Sequence, residues 1–135
     1  MRAHALRLHP GEDLKQKLDT FAEQSGMQAG CVLACAGSLS RARLRLADQN
    51  DGQMFNGPFE IVALSGTFSL DGSHLHIAIS DGSGKTMGGH LMEGCAIYTT
   101  AEIVIGELDD MRFRRPLDPQ TGYDELTIET ITDED

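Results

Sequence analysis

The alternation of apolar and polar positions predicts a chain of short β-strands with one helix near its start. Over Glu12–Ser25 the apolar residues recur at intervals of three and four, which is typical of an amphipathic helix, and Gly26 follows as an end signal. Gly30–Gly37 is continuously apolar, which predicts a strand buried on both faces. Ser40–Leu46 alternates, so its arginines share one face of a strand and its apolar side chains share the other.

Further strands are predicted at Ala3–Leu8, Phe59–Leu64, Gly66–Leu70, Ser73–Ser80, Cys95–Ile105, Met111–Arg115 and Leu126–Ile131. Asp71 and Gly72 form a tight-turn signal, so the three strands between Phe59 and Ser80 are expected to be consecutive antiparallel neighbours. A glycine-rich loop is expected from Asp81 to Gly89. One helix followed by many short strands predicts an α+β domain, in which a mostly antiparallel sheet is flanked by one or two helices.

Length and charge narrow the classes of function. The 135 residues suit one domain, which we expect at residues 1–131, with an acidic C-terminal tail at 132–135. The formal charge of -10 disfavours autonomous binding of nucleic acid, although residues 1–116 carry 14 acidic and 11 basic residues and are therefore nearly balanced. No apolar run is long enough for a membrane span, and three cysteines without paired spacing favour a cytoplasmic location.

Three histidines form a candidate metal site. His74 and His76 stand two residues apart on a predicted strand, so both rings project from one face with Cα atoms about 7 Å apart. His90 follows two glycines on the predicted loop and could supply a third imidazole, leaving an open position for water or a ligand. The alternative is that the strand histidines face solvent or an interface.

Two carboxylates interrupt apolar strands and are candidates for proton transfer. Glu102 could accept a hydrogen bond from a metal-bound imidazole, act as a proton acceptor, or pair with a strand arginine. Glu60, between Phe59 and Ile61, could play any of the same roles. Gly84-Lys85-Thr86 does not complete a phosphate-binding P-loop, because Ile79 stands where that motif needs its first glycine.

Several motifs together resemble one known family, the plant-and-prokaryote-conserved (PPC) domain in its bacterial, stand-alone form. The matching segments are Gly37–Leu39, Gly57–Thr67, His74–Ile77, Ser80–Asp81, Gly88–Leu91, Thr100–Ile105 and Thr121–Leu126. The resemblance implies a mainly antiparallel sheet flanked by helices, and a homotrimer whose subunits pack on the sheet. In plants the domain is joined to AT-hooks that bind AT-rich DNA, and family members are often labelled DNA-binding proteins.

This chain lacks the AT-hook, because Arg112-Phe113-Arg114-Arg115-Pro116 has no glycine between its arginines; a solvated or interface-pairing strand is the favoured interpretation. It does resemble bacterial relatives in its His-x-His and Gly-Gly-His motifs. That likeness implies a metal site at His74, His76 and His90, with Zn²⁺ as the default ion for imidazole ligands. Glu102 becomes the leading candidate for a supporting or acid–base group.

Three hypotheses of function result. The first is a cytoplasmic homotrimeric module that binds a metal and a small anionic ligand through the three histidines. The second is a DNA-associated regulator that acts through a partner or through Arg41, Arg43 and Arg45. The third is a hydrolase or lyase that activates water at the metal, with Glu102 or Glu60 as base. The sequence identifies no substrate and leaves open whether the protein is an enzyme.

Overall fold

The computed structural model describes residues 1–132, so the predicted acidic tail at 132–135 lies outside the described residues except for Thr132. The described elements are β1 (Arg2–Leu8), α1 (Leu14–Ser25), β2 (Gly30–Arg45), β3 (Gln53–Ser69), β4 (Gly72–Ser80), β5 (Thr86–Leu91), β6 (Ala96–Glu107), β7 (Met111–Arg114) and β8 (Thr127–Thr130). The predicted α+β class, with a mostly antiparallel sheet and one helix, is confirmed.

Six strands form one antiparallel sheet in the order β1-β6-β2-β3-β4-β5. The end of β2 also pairs with β5, through Leu44 opposite Leu91 and Arg45 opposite His90. Strands β2 to β5 therefore close into a ring, while β1 and β6 extend the sheet on the other side of β2. Strands β7 and β8 form a separate two-stranded sheet.

Helix α1 is fixed at both ends by its own sequence. The side chain of Asp13 accepts a hydrogen bond from the backbone N–H of Gln16 at 3.0 Å, which caps the first turn. Gly26 ends the helix in the left-handed conformation, at φ 63°. The other carboxylate oxygen of Asp13 accepts from the backbone N–H of Gly94 at 2.6 Å, which ties the helix start to the segment before β6.

The core lies between α1 and one face of the sheet. Leu14, Leu18 and Ala22 bury the apolar stripe of the helix. They pack in one cluster with the inward side chains of every strand of the six-stranded sheet, including Leu39, Ile79 and Ile103. The alternation along β2 follows the prediction, since Ala42 and Leu44 are buried and Arg41 is exposed.

Two pairs of predicted strands are in fact continuous. Gly30–Gly37 and Ser40–Leu46 belong to β2, and Phe59–Leu64 and Gly66–Leu70 belong to β3. Register shifts interrupt the pairing of β2 between Gly37 and Leu39 and again before Arg41, so the irregular points are β-bulges rather than strand ends. The prediction of three consecutive strands between Phe59 and Ser80 was therefore wrong by one strand.

The sequence predicted that the apolar run of β2 is buried on both faces, but only one of its faces is buried. Leu33 is 48% exposed, because α1 covers only one side of the sheet and nothing in residues 1–132 covers the other. Val62, Tyr98 and Val104 are also exposed, on β3 and β6 beside β2. We refer to these four residues as the open apolar face. No helix among the described residues is both long and apolar enough to cross a lipid bilayer.

Candidate metal centre

The three predicted histidines converge on the hairpin formed by β4 and β5. His76 lies directly opposite His90 in the antiparallel register, and His74 precedes His76 by two residues on the same face of β4. His90 therefore lies within strand β5, which begins at Thr86. The prediction of a mobile loop that extends to Gly89 and carries His90 was wrong.

The glycines before His90 serve close packing. A Cβ atom on Gly88 would come within 2.8 Å of the carbonyl oxygen of Ile77, and one on Gly89 within 3.0 Å of the carbonyl oxygen of Arg45. Strand β5 can therefore run between β4 and the end of β2 only with residues that lack side chains at these two positions. The same two glycines that suggested a mobile loop set the position of His90.

The imidazole rings are mutually close. The ring centroids of His74 and His76 lie 4.8 Å apart, those of His74 and His90 5.1 Å apart, and those of His76 and His90 5.7 Å apart. One nitrogen from each ring lies within 4.8 Å of the other two, and no other group of three potential metal ligands converges in this way within residues 1–132.

The surroundings keep two of the imidazoles neutral. Burial lowers the pKa of His90 to about 4, and the adjacent Arg45 guanidinium acts in the same direction. Burial also lowers the pKa of His74, with further contributions from His76 and Arg115. A histidine with a lowered pKa is neutral at pH 7 and presents the nitrogen lone pair that a metal ion needs.

This donor set fits a zinc ion. Zinc bonds imidazole nitrogen at about 2.0–2.1 Å, so nitrogens that lie within 4.8 Å of one another would have to move closer together to share one ion. Three protein ligands leave a fourth position open, where a bound Zn²⁺ would act as a Lewis acid towards a ligand oxygen. Nearby groups that could bind the same ligand are therefore part of the site.

The histidines lie in a polar cleft of about 840 Å³. One wall comes from the end of β2 and the loop after it, including Arg45, Asp48 and Asn50. The opposite wall comes from the C-terminal segment, with Arg115, Tyr123 and Glu125. Sequence analysis did not identify this second wall, because no local pattern indicates that residues 115–125 fold back against β4.

Neither predicted carboxylate joins the cleft. Glu102 is exposed on β6, opposite Arg7 and Ala36, and lines a separate groove. It forms no ion pair with Arg7, whose guanidinium instead donates to Thr100. Glu60 is exposed and pairs with Ser80, four residues along β4 from His76. The strand carboxylates thus point to solvent and need no buried partner.

Comparison with known proteins identifies the family. Residues 1–109 match the model of the Plants and Prokaryotes Conserved (PCC) domain, the domain also abbreviated PPC. This chain belongs to the PCC domain family. The match ends before β7, so the C-terminal wall of the cleft lies beyond the part of the PCC domain that the family model covers.

A curated relative with high similarity is a bifunctional protein GlmU from Synechococcus. It is 53% identical over 133 residues, which is 98% of this chain and 21% of that protein. The PCC chain therefore spans about a fifth of the length of this relative.

Solved structures share the whole fold. A hypothetical protein from Salmonella is 43% identical, with a TM-score of 0.93, covering 96% of this chain and 94% of its own. A metal-containing protein from Archaeoglobus fulgidus is 27% identical, with a TM-score of 0.78, covering 94% of each chain. A protein from Bacteroides thetaiotaomicron named as a candidate DNA-binding protein is 21% identical, with a TM-score of 0.81, covering 93% of this chain and 91% of its own, and shows the fold alone.

Proposed function

We propose that this PCC domain is a cytoplasmic, homotrimeric module that binds Zn²⁺ through His74, His76 and His90 and holds a small anionic ligand beside the ion. The observation that carries the proposal is the convergence of three imidazole nitrogens within 4.8 Å. Two of these imidazoles have lowered pKa values and are neutral at pH 7, as ligation requires. The Archaeoglobus relative, described as metal-containing, supports the same function.

Arg45 places a positive group beside the histidines, in a cleft whose lining otherwise holds Arg115 and four acidic residues, Asp48, Asp71, Asp124 and Glu125. Arg45 is the register partner of His90, and its guanidinium has no ion-pair partner within the described part of the chain. A bound divalent ion would add further positive charge at the same place. A carboxylate or phosphate group at the open position would therefore meet both the metal and a guanidinium.

The homotrimer is proposed from the open apolar face. Leu33, Val62, Tyr98 and Val104 leave apolar surface in contact with water on three neighbouring strands. The exposed Glu102 lies between Tyr98 and Val104 on β6, so the apolar surface is interrupted there; exposed apolar surface of this kind is nevertheless typical of protein interfaces. Packing copies of the chain on this face would give the long apolar strand β2 the second cover that its sequence indicates.

Metal analysis of protein purified without an affinity tag tests the zinc site. We expect one Zn²⁺ per chain and at least a 100-fold weaker zinc affinity in His76→Ala, because two imidazoles cannot form the three-ligand site. The control is His9→Ala, which removes an exposed histidine outside the cleft. Zinc affinity that is the same in both variants would refute the proposed site.

The second candidate function is that of a DNA-associated regulator. It is favoured by the exposed arginine Arg41 on β2. The formal charge of -10 and the enclosure of Arg45 in the cleft argue against direct binding. Titration of duplex DNA at 20 mM and 200 mM salt separates the two functions, and we expect no binding at either concentration.

A hydrolase or lyase that activates water at the metal is the third candidate. It needs a base within hydrogen-bonding reach of the ligand, directly or through one water. Glu102 and Glu60 do not line the histidine cleft, so neither can act as that base from its own chain. We therefore propose the binding function ahead of a catalytic one.

A further inference from the structure

The C-terminal wall of the cleft is firmly attached to the domain, although it lies beyond the family match. Phe113 is buried, and its backbone N–H donates to the carbonyl oxygen of Gln28 at 3.0 Å. Its own carbonyl oxygen accepts from the hydroxyl of Ser69 at 3.1 Å. The backbone N–H of Arg115 donates to the carboxylate of Asp71 at 2.6 Å. The start of this wall is thus bonded to the segment before β2, to the end of β3 and to the β3–β4 turn.

This attachment places the Arg115 side chain beside the histidines. Its guanidinium donates to the hydroxyl of Thr67 at 3.0 Å, and Thr67 is the register partner of His74. A guanidinium has five N–H donors, and within residues 1–132 this one has no carboxylate partner. Most of its donors remain available to a ligand in the cleft.

The loop after Arg115 brings a carboxylate to the same place. The backbone N–H of Glu125 donates to the carbonyl oxygen of Pro116 at 3.0 Å, which closes the loop at its base. Across the loop, the N–H of Asp118 donates to the carbonyl oxygen of Tyr123 at 2.8 Å. Glu125 lines the cleft, and its carboxylate has no hydrogen-bond or ion-pair partner among the described residues.

We infer that the C-terminal segment determines the ligand specificity of the cleft: Arg115 binds an oxyanion of the ligand, and Glu125 accepts a hydrogen bond from a hydroxyl group on the same ligand. The ligand class is a small carboxylate or phosphate that carries a hydroxyl group. The inference rests on the proposed function only for the position of the metal, since both side chains are held by contacts that involve no metal.

The chemistry of the two residues supports this class. Arginine binds carboxylates and phosphates through two parallel N–H groups, and the partial burial of Arg115 reduces the screening of such a charged pair by water. A carboxylate at pH 7 only accepts hydrogen bonds, so Glu125 would repel a simple anion and select one that presents a donor towards it. The wall carries one positive residue, Arg115, and two acidic ones, Asp124 and Glu125, and therefore favours a ligand with both an anionic group and a hydrogen-bond donor over a simple anion.

The test compares glycolate with acetate, which differ by one hydroxyl group. Each is titrated into ¹⁵N-labelled protein, with and without Zn²⁺, and amide shifts give the Kd. We expect Arg115→Gln to weaken both ligands by about 10- to 100-fold. We expect Glu125→Ala to remove the preference for glycolate and to leave acetate binding unchanged or tighter. Inorganic phosphate, titrated in parallel, shows by its relative Kd whether the oxyanion is a phosphate or a carboxylate.

Matched controls lie on the same hairpin. Arg114→Gln and Glu129→Ala remove the same charges from a pair whose side chains lie 3.7 Å apart on exposed strand positions. Equal loss of glycolate binding in Arg115→Gln and Arg114→Gln, or no preference for glycolate in the unmodified protein, would overturn the inference. Zinc affinity is measured separately. If the protein binds no Zn²⁺ but still binds glycolate through Arg115, only the metal site is refuted. If it binds Zn²⁺ but Arg115→Gln leaves the Kd for glycolate unchanged, only the inference is refuted.

Discussion

At the scale of single residues, burial controls the reactivity of the cysteines. It raises the pKa of Cys35 and of Cys95 to about 11, from 9.0 for a free thiol. The thiolate form at pH 7.5 is therefore about 100-fold scarcer than in an exposed cysteine. We expect both thiols to resist iodoacetamide at pH 7.5 in the folded protein and to react fully in 8 M urea, as measured by peptide mass spectrometry. Rapid modification of Cys95 in the folded protein would contradict this.

The residues of the site differ in how far the sequence could predict them. His74 and His76 could be paired because a strand has a period of two residues, which places both on one face whatever the rest of the fold does. Arg115 could not be assigned, because its position depends on Thr67, which is distant in sequence. Glu102 lies exposed and outside the histidine cleft, because a carboxylate in an apolar strand is buried only where both faces of the sheet are covered.

At the scale of an element, Gly66 determines the course of β3 beside the histidines. Its φ is 137°, and a Cβ atom there would collide with the carbonyl oxygen of His74. We expect Gly66→Ala to lower the free energy of unfolding by about 1–3 kcal/mol, as measured by urea denaturation at a fixed protein concentration. Gly82→Ala is the control, because a Cβ atom at Gly82 meets nothing within 4 Å. Equal stability of the two variants would argue against this strain.

Helix α1 was predictable because its signals are local: the apolar spacing, the Asp13 cap and the Gly26 end all lie within one segment. Most strands were predicted in the right places but with wrong ends, and β5 was predicted as part of a loop. Glycines in β2, β3 and β5 looked like interruptions, whereas they allow bulges, a positive φ or close contact between neighbouring backbones. Such contacts depend on which strands are neighbours, and the sequence does not state the strand order.

At the scale of the whole molecule, the open apolar face carries the proposed trimer. We expect the protein to sediment at three times the mass of one chain, and Val104→Asp to sediment as a monomer, because an unpaired charge in an apolar interface is costly to bury. Leu117→Asp is the control, since Leu117 is also exposed, at 68% against 36% for Val104, but lies outside the sheet. A trimeric Val104→Asp variant or a monomeric unmodified protein, in analytical ultracentrifugation at 20 µM, would refute the assignment of this face.

The sheet is built from segments that are distant in sequence, whereas the candidate metal ligands come from one short segment. The framework draws on strands from both ends of the chain, since β1 pairs with β6 and β2 pairs with β3, β5 and β6. All three imidazoles, in contrast, come from the single hairpin of β4 and β5. Substitutions confined to β4 and β5 could therefore add or remove the proposed metal site during evolution without changing the pairing of the other strands.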